Sequence, residues 1–155
     1  MANKNTGTQL RWENGGKMFI GSSANPTDEI INIAAQGPTY RERPRTRIPT
    51  KDRGSHTQPI VGDMQLQELT FEVFATDDWE NLQAALFPSV VAGIPPDIFV
   101  TLRYPANLNA TTGLEVKLTD GWTEDVEHIP GGENEIDRKR VTMLFACDQI
   151  APTTY

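Results

Sequence analysis

The chain has 155 residues, enough for one domain that buries roughly 68–70% of the surface its unfolded form exposes. A hydrophobic fraction of 37%, with 12 glycines and 11 prolines, is a turn-rich globular composition rather than a disordered one. No apolar run reaches about 18 residues, which excludes a membrane-spanning helix; the single cysteine, Cys147, excludes an internal disulfide; and a net charge of −7 argues against a surface that binds nucleic acid throughout.

Residues 1–8 are polar and aperiodic and read as a flexible arm; nothing in them resembles a signal peptide, so the chain is expected to act where it is made or to leave by another route. Gln9 to Trp12 and Lys17 to Gly21 read as short strands joined by a hairpin at Asn14-Gly15-Gly16, because Asn-Gly favours the tight turns of hairpins. Asn25-Pro26 marks a turn, and Glu29 to Ala34 reads as a strand on its β-branched Ile30, Ile31 and Ile33. Residues 35–62 carry Pro38, Pro44, Pro49 and Pro59 and few large apolar groups, and read as a long extended loop without a firm element. Within it Arg41, Arg43, Arg45 and Arg47 alternate with other residues, which places four guanidiniums on one face of an extended chain. Pro44 forbids a central sheet position, so the segment is expected to project as an arm or edge hairpin.

Asp63 to Ala75 gives the clearest strand. Leu69, Phe71, Val73 and Ala75 share one face, and Glu68, Thr70 and Glu72 the other. Asp77 with Glu80 three residues on suggests a capping box. Trp79, Leu82 and Leu86 then form the apolar stripe of a helix of about three turns that Pro88 ends. Strands follow at Phe99 to Tyr104 and Gly113 to Thr119, then a turn or bulge at Asp120-Gly121, a polar strand from Trp122 to His128, and a turn at Pro130-Gly131-Gly132. Arg138 to Cys147 is the last strand, and 148–155 is a polar, extended tail. The fold class is mainly β: an antiparallel β-sandwich or open barrel over 9–147, with one short flanking helix and a long projecting loop.

The charge is unevenly placed. Arg41, Arg43, Arg45, Arg47, Lys51 and Arg53 face only Glu42 and Asp52 in their own segment, which carries +4 and leaves −11 on the remainder. Residues 118–137 hold seven carboxylates and no Lys or Arg. Two readings stay open: solvated surfaces that happen to differ, or complementary patches that meet between copies.

Little in the chain suggests catalysis. His56 and His128 lie far apart in sequence, Cys147 has no evident partner, and no zinc, calcium, phosphate-loop or nucleophile-elbow motif occurs. The expectation is no enzyme activity, no metal and no cofactor. The arginines between Arg41 and Arg53 could follow a phosphate backbone, but only Tyr40 lies close enough to serve as a stacking platform. A nucleic-acid-binding β-module is therefore the alternative reading.

The order of features is similar to that of bacteriophage tail tube proteins of long, non-contractile tails. The resemblance rests on Gly7-Thr8-Gln9-Leu10-Arg11-Trp12, then Ile20-Gly21 and Pro26-Thr27 leading into a strand near Ile30, the arginine-rich stretch, and Gly62-Asp63. The strand Leu69-Thr70-Phe71-Glu72-Val73-Phe74 and the helix from Asp77 to Leu86 complete it. It implies a β-sandwich subunit of stacked, hexameric rings, assembled in the host cytoplasm into the virion. Its partners would be other copies, the tape measure protein and DNA in the lumen, and tail terminator and tail-tip proteins; no membrane is implied. The basic arm would dock on a neighbouring subunit, and Glu68, Thr70 and Glu72 are the candidate lumen-facing residues. Acidic or neutral side chains there would let DNA pass without being held.

Overall fold

The computed structural model describes residues 3–42, 47–51, 57–61, 66–147 and 151–155, with 42, 47–51 and 57–61 described through their backbone alone. Ten antiparallel strands and one helix are present among them: β1 (Lys17–Gly21), β2 (Asp28–Ile30), β3 (Thr39–Glu42), β4 (Arg47–Lys51), β5 (Thr57–Val61), β6 (Gln67–Phe74), α1 (Trp79–Leu86), β7 (Ile98–Pro105), β8 (Gly113–Ile129), β9 (Arg138–Phe145) and β10 (Thr153–Thr154). Eight strands form one sheet in the order β2-β1-β7-β8-β9-β6-β3, with β10 beside β8; β4 and β5 pair only with each other, as a separate hairpin.

The sandwich is one sheet bent at β8. The first half of this 17-residue strand pairs with β7 from Gly113 to Gly121, and the second half pairs with β9 from Gly121 to Ile129. Of the turn or bulge expected at Asp120-Gly121, the structure has the bulge: Ile98 stands opposite Gly121 and Val100 opposite Leu118, so β8 carries one extra residue there and turns a corner inside a continuous strand. Asp120 takes a φ of 55°, and its carbonyl accepts a hydrogen bond from the Ala146 N–H at 3.1 Å, so the chain redirects without leaving the ladder. Gly121 is required there: a Cβ would run into the Phe145 ring and lie 3.0 Å from the Ile98 carbonyl oxygen. A further shift in register occurs between Thr123 and Asp125.

Bending brings two apolar faces together. Met18, Ile20, Ile30, Val100, Leu102, Val116 and Leu118 come from one half; Leu69, Phe71, Val73, Val141, Met143 and Phe145 come from the other, and all belong to one buried cluster. Strict alternation in β6, with Gln67, Leu69, Phe71 and Val73 buried, follows from the period of two in a half-buried strand. Gln67 is tolerated in the core because its amide is bonded at both ends: Oε1 accepts from the Tyr40 hydroxyl at 3.0 Å, and Nε2 donates to the Cys147 carbonyl at 3.5 Å.

Several elements differ from the sequence expectations. Gln9 to Trp12 is not a strand; Trp12–Asn14 forms a 3-10 turn, and Gly15, at φ 93°, caps it in the left-handed region rather than closing a hairpin. Trp12 then packs edge-on to Tyr104, with ring centroids 5.8 Å apart. The strand expected over Glu29 to Ala34 ends at Ile30, because Asn32 takes a φ of 59°. Beyond that corner the chain crosses to the other half of the sheet: the Ala34 N–H donates to the Glu72 carbonyl at 2.8 Å, and the Phe74 N–H donates to the Asn32 carbonyl at 3.0 Å.

Residues 35–62 are not without elements. β3 extends the sheet edge along β6, and β4–β5 is the hairpin in which Pro49 stands opposite Pro59. Both positions suit proline, since each strand of an isolated pair is an edge strand. The helix is eight residues, two turns rather than three, and begins after Asp78 instead of Asp77. The Asp77/Glu80 capping box does not form: the cap residue makes no side-chain bond to the helix N–H groups, and its carboxylate accepts from Asn81 Nδ2 at 2.6 Å instead. Leu86 is buried, and Trp79, Leu82 and Ala85 pack partly buried against the core. The tail is not simply extended: Thr153 and Thr154 add to β8, and the Arg103 guanidinium lies 4.8 Å from the Tyr155 ring and 4.8 Å from the Phe19 ring.

Candidate assembly surfaces

The outward face of the second half of the sheet follows from registers alone. Glu68, Thr70, Glu72 and Phe74 on β6 stand opposite Leu144, Thr142, Arg140 and Arg138 on β9. On the far side of β9 these are matched by Trp122, Asp125, Glu127 and Ile129 of β8, and on the far side of β6 Arg41 and Thr39 of β3 stand opposite Glu68 and Thr70. Directly opposed residues share a face, so this is one surface across four strands.

Four of its charged groups are mutually paired. Glu72, with its side chain only 16% exposed, accepts from Arg138 Nη1 at 2.9 Å and from Arg140 Nη2 at 3.0 Å. Arg140 reaches Glu127 at 3.4 Å on its other side. The result is a ladder, Glu127–Arg140–Glu72–Arg138, that crosses three strands. Charge-assisted bonds of this kind hold long side chains in fixed positions, and two guanidiniums shared among two carboxylates leave the ladder electrically neutral. The sequence placed Glu68, Thr70 and Glu72 on one face but missed Arg138, Arg140 and Glu127. The alternating Arg138 and Arg140 were visible; the register that sets them against Glu72 was not. Trp122, 43% exposed, and Phe74, 37% exposed, add apolar area to the same face.

The basic segment is divided. Arg41 lies exposed in β3, opposite Glu68. Arg47 and Lys51 are the first and last residues of β4. Arg43, Arg45 and Arg53 lie outside the described residues, as does the expectation that the arginines share one face. Tyr40, the aromatic residue that a nucleic-acid site would need nearby, packs partly buried against the core and uses its hydroxyl on Gln67.

The acidic segment 118–137 uses part of its charge internally. Glu127 pairs with Arg140, and Glu135 Oε2 accepts from the Gly132 N–H at 3.4 Å. Asp137 accepts from the Gly131 N–H at 2.7 Å and stands 3.0 Å from His128 Nε2. The Gly131 bond, and then His128, hold the Asp137 carboxyl below its ordinary value. Among the described residues, no group of three His, Cys, Asp or Glu side chains is arranged to hold a metal ion, and no helix is long and apolar enough to cross a membrane.

No protein-family model matches the chain, and no curated protein matches it by sequence. Solved structures do share its fold. A chain from an extracellular contractile injection system, in the PVC sheath-tube complex in the extended state, superposes with a TM-score of 0.52 at 9% identity, covering 98% of this chain and 93% of the other. A chain from the sheath/tube terminator of the same kind of system, also extended, gives 0.52 at 9% identity, covering 90% and 92%. The likeness thus extends over more than nine-tenths of each of those chains.

Proposed function

We propose that the chain is a structural subunit of a phage-type tail tube, building stacked sixfold rings around a bore through which DNA passes. The observation that carries this reading is the shared fold, which extends over nearly the whole of this chain and nearly the whole of a chain in a sheath-tube complex. The order of sequence features points to the same kind of protein. The reading is of a structural protein, not an enzyme, and it applies to the ring and its bore in either class of tail, contractile or not. Its partners are other copies of itself, with the tape measure protein and DNA inside and terminator and tip proteins at the ends, and its place is the virion.

In this reading the face that carries Glu68, Thr70 and Glu72 lines the bore. Its chemistry suits passage in a way the sequence alone did not suggest. An all-acidic wall would repel phosphate, whereas this wall carries Arg138 and Arg140, whose guanidiniums are already engaged by Glu72 and Glu127, with Arg41 at its β3 edge opposite Glu68. Paired arginines release few counterions on meeting a phosphate, so the term that dominates DNA affinity is small. The hairpin β4–β5 is the arm that reaches a neighbouring subunit. A two-stranded hairpin is marginally stable by itself, so docking supplies the surface it lacks.

The purified protein tests this directly. Negative-stain microscopy and sedimentation at rising concentration are expected to show hollow rings and then tubes. A protein that stays monomeric at every concentration overturns the reading.

A further inference from the structure

Between β2 and α1 the sheet leaves a groove of about 630 Å³, floored by Ile30, Val73, Leu82 and Ala85, with Ile31 and Trp79 at its lips. Ile31 is 67% exposed, a large apolar side chain left in water beside an apolar floor. The rim is acidic: Asp28 and Glu29 stand on the β2 side, Asp77 and Asp78 at the start of the helix. No Lys or Arg lines the groove among the described residues. The carboxylates of Asp28, Glu29 and Asp77 enter no hydrogen bond or ion pair among the described residues, while that of Asp78 is bonded to Asn81. Among the described residues one cation stands near, Lys139 Nζ at 4.5 Å from the Trp79 ring, but it pairs with none of the rim carboxylates. The groove therefore offers an apolar floor under a net negative rim, and it calls for an apolar occupant with basic flanks.

One segment of this chain has that composition. In the β4–β5 hairpin Ile48 is paired with Ile60 and Pro49 with Pro59, while Arg47 and Lys51 close the two ends of β4. The segment from Arg41 to Arg53 carries +4, against four carboxylates on the groove rim. The alternative acceptor, 118–137, already commits Glu127, Glu135 and Asp137 to partners within its own chain.

We propose that the groove between β2 and α1 is the seat of the β4–β5 hairpin of a second copy of this chain. The inference rests on the tube reading and adds the acceptor to it. Hairpin and groove are different patches, so the contact is head-to-tail, the kind that builds rings and stacks rather than closed dimers. Complementary charge aligns the two, and the apolar floor, once covered, holds them.

Charge reversal tests the pairing. One variant reverses the groove (Asp28→Lys, Glu29→Lys and Asp77→Lys), a second reverses the hairpin (Arg47→Glu and Lys51→Glu), and a third combines both. The three groove positions are exposed, so circular dichroism is expected to show a native fold. Each reversal alone is expected to raise the concentration at which tubes form by about tenfold or more, and the combination to restore it to within about threefold of wild type. A groove variant that assembles like wild type, beside a hairpin variant that does not, overturns the groove as the seat and leaves the tube reading standing. Two impaired single variants whose combination shows no rescue also overturn the direct pairing. A wild-type protein that never assembles overturns the tube reading and this contact with it.

Discussion

The carboxylate of Asp137 closes the turn between β8 and β9, accepting from the Gly131 N–H and lying against the His128 ring. Its folded value lies below the ordinary 3.8, so folding favours the ionised form. That contribution is complete above the ordinary value and is lost as the pH falls through the lower folded one. Asp137→Asn is therefore expected to be less stable than wild type near neutrality, with the gap closing in acid. Urea denaturation of both proteins from neutral pH down to below 3.8 measures it; a gap that does not change with pH would contradict the assignment. The sequence displayed the Pro130-Gly131-Gly132 turn but not this bond, because nothing in the spacing from His128 to Asp137 says that the two meet. The same holds for Glu72. Its face was legible from the alternation of β6, while its partners Arg138 and Arg140 depend on a pairing across 66 and 68 positions. Periodicity reports which way a side chain points, and only register reports what it touches.

Among the elements, β8 carries the architecture. Its two halves read as separate strands because Asp120-Gly121 has turn composition, yet both halves stay in the ladder and only the partner changes, from β7 to β9. Local composition signalled that the chain bends there; it did not signal that pairing continues through the bend. Gly121→Ala places a methyl group against the Phe145 ring and is expected to cost roughly 1–3 kcal/mol, since a packed core resists added volume. Thermal or urea unfolding gives the value, and an unchanged midpoint would show that Phe145 yields freely. The helix was legible as an amphipathic stripe and overestimated in length, because Asp77 and Asp78 both have capping composition and only the second sits at the boundary. Residues 35–62 were the least legible. Prolines remove ladder donors and suggest a loop, but they are compatible with β4 and β5, where each strand has a free edge. β3 lay hidden for a related reason: an edge strand of four residues has too few positions to show alternation.

For the whole molecule, the bent sheet gives one buried face and leaves separate surfaces for separate tasks. The outer face of β3-β6-β9-β8 carries the paired charges of Glu127, Arg140, Glu72 and Arg138, and the basic hairpin segment and the acidic groove carry opposite charge, which the proposed contact brings together between copies. The net charge of −7 then describes a division of labour more than a uniform acidic coat. Fold class was legible because strand alternation and turn residues are local signals. The proposed assembly has only an imbalance behind it in the sequence, a +4 segment within a chain whose remainder is −11, since no residue pattern encodes a partner's position. The central claim is that copies of this chain enclose a bore lined by the outer face of β6 and β9. A cryo-microscopy map of the assembled protein tests it most directly: the account predicts a hollow tube with Glu68, Thr70, Glu72 and Arg140 facing the channel, and a map in which that face lies on the outside of the tube, or in which no channel exists, would contradict it.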